Sequence, residues 1–215
     1  HDSILVDIQA VLKAAQDMQA AAPVTPGRGW DASADAAAIA SMKDAWGRAR
    51  AAYELVEGAL APIFPDVDTS IDGRYDGFLE GLGGVADDNP FDDRKVTGLH
   101  AVERILWASE APQSVVDFEK TLPGYKAPAF PATEAEASDF KNKLCAKIVS
   151  DATLLRDQWT PAKIDIGAAF QGLIGLMNEQ KEKVNKASQG TEESRYSQRT
   201  MRDILANLDG TRKIY

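Results

Sequence analysis

His100 and Glu103 stand three residues apart in the segment Gly98-Leu99-His100-Ala101-Val102-Glu103. Residues three apart on a helix project about 60° from each other and reach a common point, so an imidazole and a carboxylate at this spacing can clamp one cation. Many helices carry His-x-x-Glu by chance, and the competing reading is an imidazole hydrogen-bonded at the edge of the apolar face Leu99, Val102, Leu106. His1 stands at the terminus, which leaves His100 as the sole internal imidazole. That shortage excludes several chemistries. A zincin needs His-Glu-x-x-His, and the iron triad of the oxygenases needs two imidazoles and one carboxylate. A Ser or Cys nucleophile needs a His base, and His100 has no Gly-x-Ser-x-Gly or comparable partner motif. Gly81-Leu82-Gly83-Gly84 follows no strand, so it is not a phosphate-cradling loop.

Further carboxylates are candidates for the same cation. Trp46, Arg50, Tyr53 and Glu57 are spaced four, three and four apart, one helical stripe mixing a carboxylate and a phenol with apolar groups. Such a stripe faces inward, and a buried Glu57 then requires compensation by Arg50 or by a cation. Glu54, one residue off the stripe, is either a second ligand or a solvated neighbour. Asp66-Val67-Asp68-Thr69-Ser70 opens like a calcium loop, but Ile71 stands where the turn Gly is needed and Gly77 where the closing Glu is needed, so the EF-hand reading fails. Asp72, in Ile71-Asp72-Gly73-Arg74, is a ligand candidate or the partner of Arg74 in a loop salt bridge.

The elements that must position these residues are helical. Ile4, Leu5, Ile8, Val11, Leu12, Ala15 and Met18 predict a helix over 4–20, and Asp31 or Ser33 caps a second that runs through Ile39, Met42, Trp46, Tyr53 and Val56 until Pro62 and Pro65 stop it. Residues 62–95 read as a long irregular connection dense in Asp and Gly. The His100 helix is expected over 92–109. Thr133 with Glu136 reads as a capping box for a helix reaching about Gln158, with Phe140, Leu144, Cys145, Ile148 and Leu155 on its core face. Phe170, Ile174, Met177 and Val184 mark a further helix, and Met201, Leu205 and Leu208 a last one, with no stop signal over Gly210 to Tyr215. Strand alternation and hairpin dipeptides are absent. The expected fold is therefore all-α, an antiparallel bundle of four-helix-bundle type with additional C-terminal helices, in which metal sites form from side chains on facing helices.

Composition limits the partners. Of 215 residues, 44% are hydrophobic and the net charge is -9, which suits a packed domain and disfavours nucleic acid or anionic lipid while favouring cations. Apolar runs such as Ile164 to Met177 fall short of the roughly 20 residues that span a bilayer and are broken by Gly and Asp. The opening His1-Asp2-Ser3, without an initiator Met, is that of a mature or trimmed product and permits export.

Taken in order, Trp46, Arg50, Tyr53-Glu54 and Glu57, then Asp66-x-Asp68-x-x-Ile71-Asp72-x-Arg74, then Thr97-Gly98-Leu99-His100-Ala101-Val102-Glu103-Arg104-Ile105-Leu106-Trp107 resemble the imelysin-like family, whose hallmark is Gly-x-His-x-x-Glu. Within it the sequence is similar to the EfeO/EfeM iron-uptake branch, a likeness that includes Arg195-Tyr196-Ser197 and Asn207-Leu208-Asp209-Gly210. The resemblance implies a single imelysin-like domain over 1–215, incomplete at its C-terminus, in the short EfeM-like arrangement without a cupredoxin-like domain. It also implies an exported, periplasmic protein in which His100, Glu103, Glu57 and Asp72 bind a metal, with Glu54 as the alternative or additional carboxylate. Iron is the metal it implies, zinc or copper being chemically acceptable to the same donors. The partners implied are a membrane iron permease and other envelope uptake components. The alternatives are a metallopeptidase of the imelysin type, a class the ligand inventory disfavours, and a metal-independent envelope binding module.

Overall fold

Helix-forming sequence dominates the chain, and the computed structural model describes residues 1–163, 165–187 and 189–214 as helices and connections without a strand. Ile164, which opens the apolar run noted above, and Tyr215, which ends the C-terminal tail, lie outside the described residues. Helix α1 (Asp2–Ala21) and helix α2 (Ala36–Glu54) pack along each other, and helix α9 (Cys145–Trp159) packs on α1. Ile8, Val11, Ala15 and Met18 of α1, with Met42, Trp46 and Tyr53 of α2, are buried in their shared core, as the 3.6-residue periodicity predicts. Among the described residues no helix is long and apolar enough to cross a membrane.

The capping box is present: the Glu136 backbone N–H donates to Thr133 Oγ1 at 3.2 Å and the Glu136 carboxylate accepts from the Thr133 N–H at 3.2 Å. The helix it starts, α8 (Glu134–Asp139), does not run unbroken into α9. A π-turn at Phe140–Leu144 widens the winding, and Phe140, Leu144 and Cys145 are all fully buried across it. Burial also pushes the Cys145 thiol up, keeping it protonated and inert.

Three expectations are corrected. The long helix through Trp46 and Glu57 breaks at Leu55–Val56, leaving Glu57 to begin the short α3 (Glu57–Leu60). Residues 62–95 contain two helices, α4 (Pro65–Asp72) and α5 (Tyr75–Gly81), because Pro65 serves as the first residue of α4 rather than as a stop. The connection is irregular only beyond them, up to α6 (Gly98–Leu106), which is shorter than the 92–109 expected.

The remaining helices are α7 (Gln113–Glu119), α10 (Ile166–Lys186) and α11 (Thr200–Ile214); α10 packs on α3, and α11 packs on α2 and α3. Their periodicity located them but not their inner faces. Ile174 and Val184 on α10, and Met201 and Leu205 on α11, are more than half exposed, whereas Gln180, Lys183, Asp203 and Asn207 are buried. The polar side faces inward because α2, α3 and α4 present carboxylates there that need partners.

Candidate metal centre

Backbone proximity assembles the site before any side chain does. Gly98 has φ +84°, and a Cβ on it would stand 2.5 Å from the Ile71 carbonyl oxygen and 2.7 Å from that of Ser70. Only glycine accepts both conditions, so α6 starts pressed against the C-terminal end of α4, and His100 comes beside Asp72. The break after α2 leaves carbonyls without intrahelical donors. Asn207 of α11 donates to the Glu54 carbonyl at 2.9 Å, and Gly210 permits that approach, since its Cβ would lie 2.3 Å from the Leu55 oxygen.

His100 is held from behind. Its Nδ1 lies 2.9 Å from Glu103 Oε2, while Glu103 Oε1 accepts the Ser197 backbone N–H at 2.8 Å. The opposite nitrogen, Nε2, is buried without a hydrogen-bond partner, with Asp72 Oδ1 at 3.4 Å. Asp72, His100 and Glu193 each offer a ligand atom, and these atoms lie within 4.8 Å of one another. Glu103 faces its own helix neighbour and the 191–199 segment and is not among the converging donors.

Around this point runs a buried ionic cluster. Arg50, 1% exposed, contacts Glu54 and Asp72 and reaches Glu193 at 2.8 Å and Asp203 at 3.4 Å. Lys183 lies 2.5 Å from Glu193, 3.2 Å from Glu54 and 3.8 Å from Glu57. Glu57 also accepts from Asn207 Nδ2 at 2.8 Å. Glu54, Glu57 and Asp72 therefore all turn inward, and Asp72 pairs with Arg50 rather than with Arg74. Asp68 accepts the Tyr53 hydroxyl at 2.5 Å, and Asp66 is exposed.

Glu193, Lys183, Asp203 and Asn207 are the residues sequence reasoning missed. Glu193 belongs to every group of three potential ligands found among the described residues: with Asp72 and His100, with Glu54 and Asp203, and with Glu57 and Glu179. It sits in a tightly curled segment in which Gln198 adopts φ +57°, unusual for a non-glycine residue, and donates through Nε2 to the Arg195 carbonyl at 2.6 Å. Buried Arg195 and Tyr196 anchor that segment by contacting Asp76 and Glu119. The signal available beforehand was the acidic pair Glu192-Glu193 ahead of Arg195-Tyr196-Ser197.

The imidazole of Gly98-x-His100-x-x-Glu103 is thus backed by a carboxylate and flanked by inward carboxylates, and the imelysin family model matches residues 4–215. The chain belongs to the imelysin family. It is 30% identical over 176 residues to the iron uptake system component EfeM of Pseudomonas syringae pv. syringae, a match covering 82% of this chain and 48% of that protein. With the iron uptake system component EfeO of Yersinia pseudotuberculosis serotype I it shares 28% identity over 177 residues, 82% of this chain and 36% of the relative. This imelysin chain thus spans half or less of the length of those curated relatives.

Charge in the cluster is unbalanced. Glu54, Glu57, Asp72, Glu103, Glu193 and Asp203 face two permanent cations, Arg50 and Lys183, with His100 beside them. Burial pushes the Glu54 and Glu57 carboxyls well up, Arg50 pulling Glu54 back and Lys183 pulling Glu57 back only in part. Burial works against ionised Glu193 too, but Arg50 and Lys183 hold it well below the usual carboxylate range. Burial and Arg50 oppose a charged His100, yet the nearby carboxylates of Asp72 and Glu103 win and raise it to about 9. A cluster with protons to give up and an anionic excess is suited to exchanging protons for a multivalent cation.

Proposed function

We propose that this chain is the metal-binding part of an exported iron-uptake component, with Asp72, His100 Nε2 and Glu193 as the ligands around which Glu54 and Glu57 supply further carboxylate. The observation that carries the reading is the buried, partnerless Nε2 of His100, aimed at two carboxylates from other elements while Glu103 fixes its ring. Among metal sites, an imidazole is oriented in this way by a carboxylate on its other nitrogen. Glu103 acts in this reading as the residue that positions His100. Carboxylate-rich donor sets favour hard ions, which agrees with iron, and the names of the EfeM and EfeO relatives point to the same cargo. Zinc and copper are the competing ions. An iron permease in the membrane and other uptake components are the partners that follow, and the periplasm is the compartment.

Calorimetry of the metal-stripped protein with ferrous ion under anaerobic conditions tests the reading. Binding that disappears in His100→Ala and in Glu193→Gln is expected; undiminished binding in both variants ends it. Incubating the metal-loaded protein with a mixed peptide library separates the metallopeptidase alternative, which requires cleavage that His100→Ala abolishes.

A further inference from the structure

Two internal cations serve the cluster, and they are held differently. Arg50 is enclosed by carboxylates from its own helix, from the end of α4, from the 191–199 segment and from α11. Lys183 instead borders a cavity of about 250 Å³, whose lining includes Arg74, Glu179, Glu192 and Glu193. An ammonium on a flexible four-carbon stem can change position where a guanidinium bridging several carboxylates cannot. The Lys183 ammonium is closest to Glu193, at 2.5 Å, and Glu193 is the carboxylate shared with the Asp72 and His100 group. A metal there and Lys183 compete for one acceptor and repel each other across a short, poorly screened distance.

The same cavity is lined by a second acidic side chain, Glu192. Glu192 is 5% exposed, and its Oε2 is buried without a hydrogen-bond partner while Oε1 accepts from Gln198 Nε2 at 3.2 Å. A buried, half-satisfied carboxylate is costly unless something completes it. Resting on the iron-binding reading above, we infer that Lys183 is a two-position internal cation: it neutralises Glu193, Glu54 and Glu57 in the metal-free protein and moves through the cavity to Glu192 when metal takes Glu193. Lys183 thereby keeps the empty carboxylates from repelling one another and sets how tightly metal is held. Weak cations fail to displace it, so it also selects for ions of higher charge.

The test is ferrous-ion calorimetry on the metal-stripped whole chain carrying Lys183→Met, Glu192→Gln or both. Lys183→Met removes the competitor, so metal should bind at least tenfold tighter while the metal-free protein melts at a lower temperature. Glu192→Gln removes the destination, so affinity should fall severalfold, and this loss should vanish in the double variant. Equal or weaker binding by folded Lys183→Met overturns the inference, as does a Glu192→Gln effect that persists without Lys183. If Lys183→Met does not fold, Glu192→Gln alone decides, unchanged affinity counting against the inference. Wild-type protein that binds no ferrous ion would overturn the iron-binding reading itself, a result distinct from binding that is indifferent to Lys183.

Discussion

Glu103 and His100 form a directed pair: Oε2 meets the imidazole Nδ1 at 2.9 Å, and the other carboxylate oxygen is tied to the Ser197 N–H at 2.8 Å. The ring is therefore fixed between α6 and the 191–199 segment, with Nε2 turned to Asp72. Glu103→Gln should weaken metal binding about 10–100-fold, the usual cost of losing the partner of a ligating imidazole. His100→Ala should abolish binding. Titration calorimetry on both variants checks the order, and equal losses would mean that Glu103 is itself a ligand.

Gly98→Ala forces a side chain into φ +84° and against the Ile71 and Ser70 oxygens. Backbone strain of this kind costs about 1–3 kcal/mol, before any contribution from the clash. Urea unfolding should report that loss, and metal affinity should fall with it because α6 backs away from Asp72.

Asn207→Ala removes donors from the Glu54 carbonyl and from Glu57, and an acceptor from Lys183 and Gln180. Each buried group left unsatisfied costs about 1–3 kcal/mol. The variant should unfold at markedly lower denaturant than Leu208→Ala, whose side chain is 41% exposed. Similar midpoints would show that the break after α2 does not depend on α11.

Metal-free and metal-loaded protein should respond to pH in opposite directions. His100 is raised from 6.5 to about 9, so its contribution is complete below 6.5 and lost as pH climbs through 9, a difference worth about 3 kcal/mol at most. Asp68 is raised by burial from 3.8 to about 6 despite the Tyr53 hydrogen bond, so it too disfavours high pH, losing its contribution as pH rises through 6. The melting temperature of the metal-free protein should rise as pH is lowered from 9 toward 6. Metal requires the deprotonated ligands, and its added stability, about 2.7 kcal/mol at a hundredfold excess over Kd, should shrink over the same interval. Calorimetric melting at fixed metal concentration measures both slopes, and parallel slopes would show that metal does not compete with protons at this cluster.

Local signals made much of the architecture legible. The periodic burial of α1 and α2 and the capping box at Thr133 and Glu136 arise from interactions within a few residues, which a sequence displays directly. His-x-x-Glu, the inward stripe of Arg50, Tyr53 and Glu57, and the acids Glu54 and Asp72 were readable for the same reason. Tertiary structure decided what each does. It turned Glu103 onto Nδ1 of His100, paired Asp72 with Arg50 across 22 positions, and brought Glu193 and Lys183 to Glu54 from more than a hundred residues away. Hydropathy also misses the inner faces of α10 and α11, where Gln180, Lys183, Asp203 and Asn207 are buried and Ile174 and Met201 are not. The reason is electrostatic: desolvated carboxylates on α2, α3 and α4 demand cations and donors from whatever packs on them, and that demand appears only when distant segments share one low-dielectric space.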